Sequence, residues 1–140
     1  MADSDELIDE LAKLALFADL DEPQLRAVAH IFEEAWYAAD TRLLRQGIGG
    51  SGFYVILEGE VAVVIDGEER ARLTRGDYLG EVAILLGERP VADVVAQGPL
   101  RVLHLAGQDL HSFLLTYPRV TYRVLVEQTR RLRNANRWRR

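Results

Sequence analysis

The sequence predicts a mainly β domain with helices at both ends, an antiparallel barrel or roll, and three observations carry that expectation. Apolar residues recur at helical spacing as far as about residue 32. A block of short β-rich runs separated by turn residues follows, to about residue 106, and helical spacing then returns. Short strands broken this often favour an antiparallel barrel or roll, which limits exposed sheet edges. A chain of 140 residues fits one such domain, long enough to bury a core.

Residues 1–32 are expected to form the N-terminal helices. In "SDELIDELAKLALF", Ser4 is a candidate cap and Leu7, Ile8, Leu11 and Leu14 share one helical face. "DLDEPQLRAVAHIF" repeats the device: Asp21 can cap, Glu22 and Pro23 suit the first turn, and Leu25, Val28 and Phe32 form the stripe. The β block, residues 33–106, begins where the period changes. "FYVILEG" and "EVAVVIDG" read as strands, and Asp66-Gly67 predicts a tight hairpin because both residues tolerate positive φ. Further turns fall at Arg75-Gly76 and Gln97-Gly98-Pro99. Residues 107–140 return to helix: a short one ending before Pro118, then a longer one opened by that proline. Val120, Val124, Leu125, Gln128, Leu132 and Ala135 stand near heptad spacing, a stripe that can pack on the barrel or pair with a second copy.

Composition excludes several classes. No apolar run approaches the ~18 residues of a membrane span, and the acidic N-terminus lacks a basic, then apolar, leader, so a cytoplasmic protein is expected. Without cysteine there are no disulfides, thiolate metal sites or thiol catalysis. His30, His104 and His111 are scattered and no pair has metal-ligand spacing; no serine stands in a nucleophile motif. Neither an enzyme nor a cofactor is expected. The tail "RRLRNANRWRR" is basic, but a net charge of −5 argues against a dedicated nucleic-acid binder. "GIGGSG", Gly47 to Gly52, fits a dinucleotide fingerprint to the letter, yet "FYVILEGEV" after it reads as strand where that fingerprint requires a helix.

The informative stretch is "GEVAILLGERPVADVV", residues 80–95. A helical turn beginning at Glu81 would aim the N–H groups of Val82 and Ala83 at one spot, and small Ala83 would let an anion approach. A carboxylate there would repel phosphate but accept hydrogen bonds from sugar hydroxyls. The local chemistry suits a phosphorylated sugar.

With "GFYVILEGEVAVV" as central hairpin and "GDYLGEVAILLGERPVADVVA" as phosphate-binding cassette, nearly the whole chain resembles the cyclic nucleotide-binding domain. That domain is shared by catabolite-activator-type regulators, protein kinase A regulatory subunits and cyclic-nucleotide-gated channels. The resemblance implies a jelly-roll β-barrel, with the ligand cupped between cassette and C-terminal helix. It implies that Gly80, Glu81, Val82 and Ala83 open the cassette, that Glu81 meets the ribose, and that a lid near Gln128 and Arg131 faces the base. It also implies an arginine nine or ten positions after the glutamate, clamping the phosphate. Here those positions hold Pro90 and Val91, and Arg89 comes one place early. Shifting the register to recover it would turn over every side chain of "VADVV". Val91 keeps its N–H, and Arg89 remains as a displaced cation that could reach round the loop.

Two functions follow. The first is a stand-alone regulatory domain that binds a cyclic nucleotide, cAMP by expectation, or a related phosphorylated ligand, and signals by moving its C-terminal helix to a protein partner or homodimer. The alternative is a degenerate module that binds no nucleotide and serves dimerisation or docking. A transcription factor in its own right is not expected, because the sequence shows no helix-turn-helix after the long helix.

Overall fold

The computed structural model describes residues 5–49 and 52–137. The Ser4 cap, Gly50 and Ser51 of the glycine-rich stretch, and the last three residues of the basic tail lie outside the described residues. α1 (Asp5–Ala12), a 3-10 turn (Ala15–Phe17) and α2 (Glu22–Ile31) come first. The strands are β1 (Glu33–Tyr37), β2 (Arg42–Leu44), β3 (Gly52–Glu58), β4 (Val61–Ile65), β5 (Glu68–Leu73), β6 (Tyr78–Leu79), β7 (Asp93–Ala96) and β8 (Leu100–Ala106). α3 (Glu81–Leu86) lies between β6 and β7, and α4 (Gly107–Thr116) and α5 (Pro118–Arg137) close the chain. None of the described helices is long and apolar enough to cross a membrane.

The strands form two antiparallel four-stranded sheets, ordered β1-β8-β3-β6 and β2-β7-β4-β5. The expected jelly-roll barrel is therefore a roll of two facing sheets rather than one closed barrel. Strand β3 shows why "GFYVILE" is almost uninterruptedly apolar. Phe53, Val55 and Leu57 point to the helices, while Tyr54 and Ile56 point into the roll. β8 divides the same way, Leu103 and Leu105 against Leu100 and Val102. Two cores result, one on each face of this sheet. Phe32 knits the helical core, with Phe17, Phe53 and Phe113 at ring distances of 6.3, 6.2 and 5.1 Å.

The local signals act as their chemistry requires. Asp21 accepts from Gln24 N, and the Gln24 side chain answers the Asp21 N–H, a complete capping box. Asp66 and Gly67 both take positive φ, 53° and 82°, and turn β4 into β5. A strand follows "GIGGSG", as the refusal of the dinucleotide reading requires.

A charged knot fastens α1 to the sheet. Arg101 on β8 donates to Glu10 of α1 at 3.0 Å, to Glu34 of β1, and to Glu58 of β3 at 3.1 Å. Arg75, in the turn before β6, holds the same Glu10 at 2.9 Å.

One expectation needs correction. The heptad-like stripe of α5 is not a single seam: Val120 and Val124 are buried in the helical core, whereas Leu125 and Leu132 are exposed. At 100° per residue these pairs sit on different faces, and only the first has a core to meet.

Candidate ligand site beneath the C-terminal helix

Gly80 sets the geometry. Its φ of 95° is left-handed, and a Cβ there would lie 1.9 Å from the Gly52 carbonyl oxygen. Only glycine lets the chain leave β6, pass against β3 and start α3 at once. Gly87, at φ 66°, ends the helix, with the Glu88 N–H returning to Ala83 O.

This turn places Glu81 in the interior. It is 2% exposed and is the one buried charged side chain among the described residues. A buried carboxylate must be paired, and its partners come from α5. Gln128 Nε2 donates to Glu81 Oε2 at 2.6 Å, and Arg131 Nη1 donates to the same oxygen at 3.2 Å. Tyr78 completes the arrangement. Its hydroxyl donates to Val124 O at 3.1 Å and accepts from Gln128 at 3.2 Å. Its carbonyl accepts from Arg131 Nη2, whose guanidinium carbon stands 4.8 Å above the Tyr78 ring. Glu127 steadies Arg131 from below, accepting from its Nε at 3.2 Å. α5 is thus latched onto the start of the cassette.

Burial, and then the negative charge of Glu81, push the Tyr78 phenol up to about 12. The folded state holds the neutral phenol more firmly than the unfolded chain does. The stability this contributes is whole below the ordinary value near 10 and is lost as pH rises through about 12. In an absorbance titration, Tyr78 is expected to ionise well after the exposed phenols, and Tyr78→Phe should delete that late step. Loss of an early step instead would mean that the phenol is open to water.

Beside the latch lies a cavity of about 130 Å³. Gly80, Glu81, Val82, Ala83, Val91 and Arg131 all line it, so the structure gathers most of the residues singled out in the sequence. Gln128 reaches Glu81 from just above. Neither Gln128 nor Arg131 waits as a base-facing lid in this conformation; both are spent on Glu81, where a sugar hydroxyl was expected. The space is well below the ~300 Å³ at which small-molecule pockets begin. It is a small site.

The structure does not bring Arg89 to the cavity. It is exposed, donates to Gly47 O at 3.3 Å, and does not line the cavity. Pro90 explains this: it is buried in the cavity wall and its carbonyl accepts from Gly47 N at 2.8 Å, which turns its neighbour outward. Asp93 also points away, accepting from Gln46 N at 2.7 Å and facing Arg42 at 4.0 Å. Among the described residues no group of three or more His, Cys, Asp or Glu is placed to hold a metal. Sequence reasoning missed Tyr78 and Glu127. The signal available for Tyr78 was an aromatic residue two places before Gly80; Glu127 had none, being one acid on a charged helix.

The comparisons agree with this geometry. Residues 34–117 match the family described as "Cyclic nucleotide-binding domain". A cGMP-dependent protein kinase of Caenorhabditis briggsae is 37% identical over 100 residues, covering 67% of this chain and 13% of the kinase. The catabolite activator protein of Thermus thermophilus superposes with a TM-score of 0.77 at 26% identity, over 87% of this chain and 60% of that one. A regulatory subunit of a cAMP-independent protein kinase A from Trypanosoma brucei gives 0.72 at 27%, over 87% and 45%. That chain is a variant with three substitutions, one of them threonine to arginine, bound to cAMP in its A site. The curated relatives are far longer than this chain, which spans about an eighth of the kinase named. With more than half its length matching the family and its roll, cassette turn and buried glutamate in place, the chain belongs to the cyclic nucleotide-binding domain family.

Proposed function

We propose that this chain is a non-enzymatic, cytoplasmic sensor domain in which a cyclic nucleotide competes with α5 for Glu81. One observation carries the reading: among the described residues, the single buried carboxylate is held only by side chains of the helix that would have to move. Ribose hydroxyls arriving at Glu81 would replace Gln128 and Arg131, and the N–H groups of Val82 and Ala83 would face the phosphate. The freed segment of α5 would be the output, read by a protein partner or by a second copy. A ligand shifts the two states only by its differential affinity for them, and here the difference is the latch itself. cAMP is the expected ligand, with cGMP the competitor that the kinase relatives bring forward.

A second reading, a module that binds no nucleotide, is favoured by Pro90 at the clamp position. A charge-assisted contact to phosphate contributes about 1.5–3 kcal/mol, or roughly ten- to a hundred-fold in affinity. The variant trypanosome subunit, with an arginine introduced and cAMP bound, makes the test direct.

Calorimetric titration with cAMP and with cGMP, for the protein and for Pro90→Arg, separates the readings. Binding by the unmodified protein, tightened about ten- to a hundred-fold in Pro90→Arg, together with faster amide exchange over residues 128–137 in the complex, is the expected result. Silence from both proteins would establish the second reading. Binding without any change in α5 exchange would remove the latch from the mechanism.

A further inference from the structure

A second opening, which the cassette does not explain, lies on the neighbouring stripe of α5, between that helix, the segment after α1 and the turn before β6. Its volume is about 330 Å³, within the range of small-molecule sites. Leu14, Leu16 and Val126 supply apolar wall, and the charged lining is Lys13, Arg75, Arg123 and Arg130 against Asp77 and Glu127. The fold has already committed part of this set. Arg75 is held by Glu10 at 2.9 Å, Arg123 is held at 2.6 and 2.8 Å by both oxygens of Asp19, and Asp77 accepts from Thr74 N at 2.8 Å. Lys13 has no side-chain partner among the described residues. Arg130 is half-exposed and holds only Glu127, at 2.6 Å. Glu127 engages one nitrogen of Arg130, so Lys13 and the remaining guanidinium donors of Arg130, both lining the cavity, are available to one ligand.

We infer that this cavity is a second site, taking a small phosphomonoester with an apolar body, and that its occupant restrains α5. Two cations beside an apolar wall suit a group carrying about −1.5 to −2 charge at neutral pH; a cyclic phosphodiester brings only one negative charge. Lys13 belongs to the N-terminal segment and Arg130 to α5, so a bridging phosphate ties the two together. It does so in the conformation where Arg131, one residue on, holds Glu81. A ligand that binds this arrangement stabilises it and opposes release of the latch. By linkage, each ligand then weakens the other by the same factor. This second half rests on the cassette reading; the binding itself does not.

The probe is phenyl phosphate, titrated calorimetrically at constant ionic strength, with phenyl sulfate and inorganic phosphate beside it. Saturable binding of phenyl phosphate is expected, weakened about tenfold or more by Lys13→Ala and by Arg130→Ala and unchanged by Pro90→Arg. The Lys13 side chain makes no hydrogen bond or ion pair among the described residues, and the backbone bond from its N–H to Glu10 O survives in Lys13→Ala, so loss of binding in that variant is not loss of structure. No saturable binding, or equal affinity in Lys13→Ala, would overturn the site. Tighter binding in Pro90→Arg would place the probe in the cassette and overturn it too. With the probe saturating, the affinity for cAMP is expected to fall; an unchanged affinity would overturn the restraint on α5. If phenyl phosphate binds through Lys13 and neither cyclic nucleotide binds at all, the cassette reading fails and the second site stands.

Discussion

Replacing Gly80 with alanine is expected to cost at least about 3 kcal/mol of stability, more than its left-handed backbone alone explains. A φ of 95° disfavours any side chain, typically by about 1–2 kcal/mol. The larger part comes from contact: the added methyl carbon would sit 1.9 Å from Gly52 O and 3.0 Å from Gly52 C, both backbone atoms. Neither can swing aside as a flexible side chain would. Relief requires moving the start of β3 away from the start of α3, and that opens the wall around Glu81. Gly87→Ala is the natural control, since it is also left-handed, at 66°, but meets nothing within 4 Å. Urea unfolding of the two variants should give a loss near 1–2 kcal/mol for Gly87→Ala and clearly more for Gly80→Ala. Equal losses would mean that the β3–α3 contact yields easily.

Arg101→Met should be comparably severe, about 3 kcal/mol, with a fall in Tm on the order of 10 °C for a domain of this size. Arg101 is 16% exposed, and its partners Glu10 and Glu34 are 16% and 12% exposed. Methionine keeps most of the stem but removes the cation from Glu34 and Glu58, leaving Arg75 to hold Glu10 alone. A half-buried carboxylate left without its cation is the costly outcome, beyond the loss of an exposed ion pair. The damage should be local as well: amide exchange ought to accelerate first in α1, whose anchor to the sheet is Glu10. A variant that melts within a degree or two of the parent would show that the knot is solvated and weak.

How much of this was legible in the sequence depended on the range of the interaction. Capping at Asp21, the Asp66-Gly67 hairpin and the position of Pro118 are decided within a few residues, so spacing reveals them. The cassette start was legible for the same reason: Gly80 and Glu81 are adjacent, and one turn sets both. What joins Glu81 to Gln128 and Arg131 is a contact across nearly 50 residues of chain, and nothing local to either end encodes it. The α5 stripe misled because heptad spacing says which residues share a strip of helix, not which strip finds a core. Arg89 is instructive in the same way. Its reach round the loop was open on length alone, and the buried ring and carbonyl contact of Pro90 decided against it.

Val124 has a mechanical consequence. Among the described residues it is the last buried one of α5, so the helix is clamped over its first two turns and cantilevered beyond them. At 1.5 Å per residue the free arm from Val124 to Arg137 is about 20 Å long, so a tilt of roughly 10° would swing its end by about 3–4 Å. The latch at Gln128 and Arg131 grips the inner half of that arm, where small displacements suffice to break hydrogen bonds of 2.6 and 3.2 Å. An ångström-scale event at one carboxylate would therefore appear at the far tip magnified about two- to threefold, as the throw of a lever.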